Sequence, residues 1–334
     1  MTKAKTALIL GTTGGIGGTL ARRLLAGGWA VRAMHRQPQG RQSGTGIEWV
    51  PGDAMVAADV VAAATGVDWI VHAVNPPGYR DWDRLVLPML DHSILAARRH
   101  GARLLLPGNV YVFGPDAFPD PDEDAPQNPQ TAKGRIRVEM EARLRRAADT
   151  GVACLVVRAG DFFGPQPGNN WFSQAMVKPG RSMRAITYPG KPGIGHQWAY
   201  LPDVAETMAL LMERGDTLPA FAAFNMEGHW DGDGTQMVQA IRRAIGRPDL
   251  PVRAMPWWMM RLLSPFVPLF RELLEMRYLW QQPVRMGNSR LRALLGAEPH
   301  TDWDAAVTAS LRGLGVLDQG DGGRQRLSGG GSSS

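Results

Sequence analysis

The chain has 334 residues, enough for one large domain or two smaller ones around a substantial hydrophobic core. Hydrophobic residues at 44% against 20% charged exclude wholesale disorder and a coiled coil, and a single cysteine, Cys154, excludes a disulfide framework or a Cys-rich zinc site. Lys plus Arg (37) exceed Asp plus Glu (31) by only 6, with the acids interleaved, so there is no basic stripe of the kind that binds nucleic acid.

From the N-terminus, the apolar run beginning at Ala7 lacks the long core and small-residue cleavage site of a signal peptide and reads as a strand; with one cysteine, this sets the expectation of a cytoplasmic protein. Through residue 160, short aliphatic runs alternate with longer amphipathic ones, the pattern of βαβ units and a parallel sheet. Strands are predicted at 5–10, 30–35, 47–51, 68–74, 102–107 and 152–158. Helices near 15–27, 54–64, 82–100 and 132–149 lie between them, ended by Gly27-Gly28, Gly66, Gly101 and Gly151. After Gly160 the alternation is lost among Pro, Gly, Trp and Met, which suggests a cap packed closely over one edge of the sheet. No stretch reaches the ~18 apolar residues a membrane span needs. The Gly/Ser-rich tail, 320–334, reads as disordered.

Leu8-Ile9-Leu10 runs directly into Gly11-Thr12-Thr13-Gly14-Gly15-Ile16-Gly17-Gly18, followed by an amphipathic helix. Glycines at 11, 14 and 17 permit a tight turn, close backbone approach to a pyrophosphate and close helix packing, with the helix N-terminus stabilising the phosphate charge. Gly11, Thr13, Gly14, Ile16 and Gly17 are therefore the candidate pyrophosphate contacts, and the fold class is α/β. It is expected to be a Rossmann-type doubly wound sheet in residues 1–160 with parts of 196–228, and a smaller C-terminal cap in 161–313. The second strand ends at Arg36, where an NAD enzyme usually places an acid. A guanidinium there favours NADP over NAD, unless Arg36 is only an exposed loop residue. Asp53 either accepts a hydrogen bond from an adenine amino group or caps a helix starting at Ala54. Ala73, Val74 and Asn75, running on to Pro76-Pro77, would let a ribose lie against the fourth strand's end.

Taken together, these residues resemble the extended and atypical branch of the short-chain dehydrogenase/reductase superfamily, the NAD-dependent epimerase/dehydratase-like proteins. The resemblance also rests on Val110-Tyr111-Val112-Phe113-Gly114-Pro115, on Arg158-Ala159-Gly160-Asp161-Phe162-Phe163-Gly164-Pro165, on Ala199-Tyr200-Leu201-Pro202-Asp203, and on Asn288-Ser289-Arg290-Leu291. It implies hydride chemistry in which a tyrosine, its pKa lowered by a lysine four residues later, acts as acid and base beside a serine or threonine. The tyrosine–lysine pair is absent: Tyr79, Tyr111, Tyr188, Tyr200 and Tyr278 are followed four places later by Asp83, Pro115, Pro192, Val204 and Gln282. Alignment on Phe113-Gly114 puts Asn109 at the serine position, and alignment on the helix of Glu139 puts Thr131 and Arg135 at the tyrosine and lysine positions. Arg135 is then a candidate for the nicotinamide ribose. Asn109, Tyr111 and Lys133 become the catalytic candidates, with Tyr200 and His196 as further proton donors to weigh.

His196 stands where nucleotide-sugar members carry an arginine that grips a diphosphate, and it is a poorer clamp, which disfavours that substrate class. No metal centre is expected. The aromatic and Met-rich stretch 256–280 reads as cap packing or the lining of an apolar pocket, with Trp257, Trp258 and Met260 approaching the cleft; a homodimer face is possible, and contact with a membrane surface is the less favoured alternative. The resulting expectation is an NAD(P)-dependent oxidoreductase acting on a carbonyl or related group of a moderately apolar small molecule. The alternatives are a non-catalytic dinucleotide sensor or assembly protein and a nucleotide-sugar epimerase or dehydratase.

Overall fold

The computed structural model describes residues 4–41, 45–76, 81–166, 168 and 170–318, so the tail predicted over 320–334, Pro77 and Tyr79 fall outside the described residues. The N-terminal part alternates as expected: β1 (Thr6–Leu10), α1 (Gly15–Ala26), β2 (Ala30–His35), β3 (Ile47–Pro51), α2 (Ala57–Ala63), β4 (Trp69–His72), α3 (Trp82–His100), β5 (Arg103–Asn109), α4 (Ala132–Asp149) and β6 (Cys154–Ala159). Two boundaries differ for local reasons. Residues 53–56 form a turn closed by Val56 N–H donating to the Asp53 carbonyl, so α2 starts at Ala57 rather than 54. β4 stops at His72 rather than 74, though Ala73 N–H still donates to Leu10 O at 2.9 Å.

Beyond Gly160 come β7 (Asp161–Phe163), β8 (Ile186–Tyr188), β9 (His196–Tyr200), α5 (Leu201–Glu213), β10 (Phe221–Asn225), β11 (His229–Asp231), α6 (Gln236–Ala244), β12 (Val252–Ala254), α7 (Trp257–Leu263), α8 (Pro268–Glu275), α9 (Ser289–Leu295) and α10 (Trp303–Gly313). The expected loss of alternation is thus corrected in one place, because α5 and β10 return the chain to the main sheet. β10 escapes a sequence reading because its Phe-Ala-Ala-Phe-Asn run is short and has no β-branched residue.

Seven strands in the order β10-β6-β5-β4-β1-β2-β3 make the main sheet, and every pairing is parallel. Alternation along each strand sends Leu8, Leu10, Ile70, Leu104 and Val156 to one face, against α2, α3 and α4. Ala7, Ile9, Val71, Leu105 and Val157 go to the other, against α1 and α5. The cap has its own core, in which Phe163, Phe172, Trp198 and Trp280 are 0–2% exposed. Strand order reverses direction between β1 and β4, and their carboxyl ends form the crevice where this architecture binds ligands.

A buried ion pair ties α4 to the sheet. Arg158 on β6 is completely buried and donates bidentately to Glu141 on α4, Nε to Oε1 at 2.9 Å and Nη2 to Oε2 at 2.7 Å. Its remaining Nη1 reaches Asn225 Oδ1 and the Glu123 carbonyl. Charges so buried persist only when they are paired and hydrogen-bonded, as all three guanidinium nitrogens are here.

Candidate active site

At the crevice, β1 ends and the chain turns at Gly11 with φ +94, a conformation that side chains rarely adopt. A Cβ on Gly11 would lie 2.5 Å from Ala73 O, and one on Gly17 only 2.4 Å from Gly11 O, so the turn, the end of β4 and the first turn of α1 touch backbone to backbone. Gly14 is different: a Cβ there meets only Gly11 O at 3.3 Å and otherwise faces open space. It caps α1, which has no side-chain cap and no acidic residue in its first turn. The amide end of α1 therefore faces the crevice with its positive partial charge uncompensated. The structure brings Gly11, Thr13, Gly14, Ile16, Gly17 and Ala73 together at one end of the crevice, with Val74 and Asn75 next in the chain.

Arg36 is exposed at the end of β2, and Arg41 lies over the Trp49 ring at 5.7 Å, so the β2–β3 connection carries two cations. Asp53 accepts from Met55 N–H through Oδ1 at 3.0 Å and caps the turn over 53–56, not a helix at Ala54 as the capping alternative held.

Asn109 ends β5, and its side-chain oxygen accepts from Tyr111 N–H at 3.2 Å, starting a 3-10 turn over Val110–Val112. Two residues along a continued strand would put Tyr111 on the same side as Asn109, but the turn breaks that alternation and the ring is buried against the cap core. α4 begins beneath this turn, with Thr131 Oγ1 accepting from Gly134 N–H at 3.0 Å. A Cβ on Gly134 would sit 2.6 Å from Tyr111 O, so the Tyr111 and Lys133 segments are adjacent.

The helix corrects the expected roles on it. Because α4 starts at Ala132, Lys133 and Arg135 project ~200° apart. Arg135, the residue expected at a ribose, lies on the exposed side of α4 and donates back to Gln130 O at 3.0 Å. Lys133 is 3% exposed, with Nζ paired to Glu272 and to Glu275 at 2.7 Å, both on α8. Burial alone would raise the Glu275 pKa, but the Lys133 hydrogen bonds hold it below the usual carboxylate range. One turn beyond Lys133, on the same face, is Arg137, which sequence reasoning missed. Its guanidinium lies 5.1 Å from the Trp82 ring centroid and donates to Pro107 O at 3.3 Å, at the end of β5. The signal was available: 133, 137, 140, 141, 144 and 148 form one buried helical face, and Glu139 does not lie on it.

His72, at the end of β4, is buried. Its Nδ1 lies 2.8 Å from Ser93 Oγ, which in turn donates to Met89 O, so Nδ1 carries the proton and Nε2 presents a lone pair. Burial, and secondarily the Arg137 charge, lower its pKa to about 3, so the imidazole is neutral. His196 is inside the cap, with Nε2 3.0 Å from Asp161 Oδ2 and its ring stacked 3.7 Å from Trp280. Tyr200 is also buried, and burial, followed by the Asp203 charge, raises its pKa, which opposes deprotonation. Asp203, His229 and His300 lie close together, but Asp203 accepts twice from Thr301 and His229 Nε2 lies 2.6 Å from Thr301 O. The two imidazoles also stack at 4.2 Å, so their in-plane lone pairs do not converge on a metal. Trp257 and Met260 pack into the cap, but Trp258 is 73% exposed, which corrects the expectation that it approaches the cleft.

Solved structures share this architecture. UDP-glucose 4-epimerase from Brucella ovis in complex with NAD superposes with a TM-score of 0.74 at 18% identity over 93% of this chain and 99% of its own. UDP-glucose 4-epimerase from Bifidobacterium longum in complex with NAD+ and UDP gives 0.70 at 14% identity, over 94% and 100%. A nucleoside-diphosphate-sugar epimerase from Pseudomonas aeruginosa gives 0.71 at 16%, over 95% and 100%. At these identities the likeness shows the fold alone. No curated protein matches the sequence. The family model described as the NAD dependent epimerase/dehydratase family matches residues 7–226. On that match, and on the glycine turn, sheet order and crevice described above, the chain belongs to the NAD dependent epimerase/dehydratase family, within the extended short-chain dehydrogenase/reductases.

Proposed function

We propose that the chain binds NADP(H) in the crevice and is an oxidoreductase acting on a carbonyl or related group of a moderately apolar small molecule. The observation that carries this is the acid-free, uncapped start of α1 behind a glycine turn that any Cβ would fill. Backbone N–H groups from Gly14 to Gly17 hold the pyrophosphate, Arg36 holds the 2′-phosphate, Asp53 offers its second carboxylate oxygen to the adenine, and Ala73, Val74 and Asn75 flank a ribose. Arg137, fixed by Trp82 and Pro107 O, takes the place of the family's lysine toward the nicotinamide ribose. When bound, the nicotinamide supplies hydride transfer. Asn109 and Tyr111 stand at the end of β5 to orient a substrate oxygen, and Lys133 fixes the field beside them. The apolar cap core favours an apolar substrate. The engagement of His196 with Asp161 and Trp280 argues against a diphosphate-bearing one.

One observation favours a second reading, that of a dinucleotide sensor without turnover: Lys133 is committed to two carboxylates. Two measurements test both. Calorimetry should show NADPH binding about 10–100-fold tighter than NADH, the worth of one charge-assisted guanidinium–phosphate contact, with Arg36→Ala removing most of the difference; equal affinities in the unmodified chain refute the NADP assignment. Hydride transfer is then followed over a carbonyl panel with the unmodified chain, Tyr111→Phe and Lys133→Met. Turnover unchanged in both variants removes this pair from the chemistry. Tight NADPH binding with no turnover at all gives the sensor reading precedence.

A further inference from the structure

Among the described residues, most of the exposed large apolar side chains lie in one hairpin. α7 and α8, joined through 264–267, turn one side inward, where Met260 is 5% exposed and Trp257 donates to Pro189 O at 2.9 Å. The other side leaves Trp258 73%, Leu262 67%, Phe266 82% and Leu269 42% exposed. Trp258 and Leu262 are one helical turn apart and share a face. An exposed patch of this composition marks an interaction surface, and water is the wrong solvent for it.

Charge identifies the occupant. The cations of the 250–275 stretch are Arg253, Arg261 and Arg271, all exposed, whereas its two acids, Glu272 and Glu275, are half-buried and share one lysine, Lys133. The patch therefore presents aromatic and aliphatic side chains, and the exposed charged residues of the stretch are all arginines. A second copy of the chain meeting this face would bring two surfaces of the same net sign together. A bilayer rich in anionic phospholipid supplies the complement, an apolar interior for the rings and phosphates for the guanidinium groups. No helix among the described residues is long and apolar enough to cross a membrane, so the contact is interfacial.

We propose that the α7–α8 hairpin docks the protein on an anionic phospholipid surface, inserting Trp258, Leu262, Phe266 and Leu269 beneath the headgroups while Arg261 and Arg271 bind phosphate. Through the Lys133 ion pairs, the docking hairpin is anchored to the start of α4, so the membrane face and the crevice share one support. The inference does not depend on which dinucleotide the crevice binds.

The test is co-sedimentation of the full chain with unilamellar vesicles, either equal parts phosphatidylglycerol and phosphatidylcholine or phosphatidylcholine alone. The unmodified chain should bind the anionic vesicles and prefer them by about tenfold or more, at roughly 1 kcal/mol per arginine. Arg261→Glu with Arg271→Glu, which alters only exposed side chains, should abolish that preference. Leu262→Ser with Phe266→Ser should weaken binding to both vesicle types by about tenfold or more. Melting curves and NADPH calorimetry without vesicles, run on each variant, separate loss of fold or of cofactor binding from loss of docking. The proposal is overturned if the unmodified chain leaves anionic vesicles unbound, or if both folded variants bind as it does. It is also overturned if sedimentation velocity finds a dimer that Phe266→Ser abolishes, which would assign the face to a second copy.

Discussion

Gly14 and Gly17 belong to one motif, yet their surroundings separate their roles. A valine at 14 would project into the open side of the turn, where the pyrophosphate is proposed to lie, whereas one at 17 would drive into Gly11 O. Gly14→Val is accordingly expected to lose dinucleotide binding by calorimetry with little change in melting, while Gly17→Val loses binding and melts lower. Equal effects on melting would show that the two positions do not divide this way. The glycine turn was legible because its chemistry is local and its spacing fixed. Arg137 was not, although the helix predicted over 132–149 already puts it one turn beyond Lys133, because the Trp82 ring and Pro107 carbonyl that hold it come together only in the fold. Nothing in the sequence around His72 marks it, because its burial is a tertiary fact. Its pKa near 3 lies below that of an unfolded histidine, so between about pH 6.5 and 3 the unfolded chain binds the extra proton. The contribution is therefore intact above pH 6.5 and is lost as pH falls toward 3, at up to about 1.4 kcal/mol per pH unit. Urea melts of His72→Asn, which keeps a donor for Ser93, should show a shallower acid loss than the unmodified chain; an identical profile would mean that His72 does not titrate on unfolding.

Helix α4 shows how one element serves two surfaces. Its first two turns carry Lys133 toward the cap and Arg137 toward the sheet edge, and its middle carries Glu141 to the buried Arg158. Removing one partner from such a pair leaves the other charge stranded, at a cost of about 3–5 kcal/mol. Glu141→Ala should be destabilised by that amount in urea melts, and Glu139→Ala, whose pairs with Arg143 and Arg146 are at the surface, by less than about 1 kcal/mol. Comparable losses would refute the assignment of Glu141 as the helix's anchor. The first six strands could be read from the sequence because each is an aliphatic run bounded by glycine or polar residues, and their ends fall within three residues of the predicted ones. The cap could not be read in the same way. Its strands are three to five residues long, and its aromatic residues divide between core and surface within a single helix, as Trp257 and Trp258 do.

The whole chain is built around the reversal of strand order between β1 and β4, with apolar cores on both faces of the sheet and a third in the cap. The crevice at that reversal begins where Gly11 meets Ala73, and the Tyr111 turn that follows β5 shares the cap core with Trp198 and Trp280. If the proposed dinucleotide spans from the glycine turn to the Tyr111 turn, it joins segments supported by the sheet cores and the cap core, and binding should stabilise them together. At a free NADPH concentration of 100 times Kd the linkage contributes about 2.7 kcal/mol. For a chain of this length that is an upward shift of about 3–6 °C in Tm. Calorimetric scans should show one transition moving upward as a unit with NADPH in the unmodified chain and not moving in Gly14→Val. Two transitions, with only the earlier or only the later one moving, would show that the cap and the sheet respond separately. An equal shift in Gly14→Val would place the dinucleotide somewhere other than the turn that begins α1.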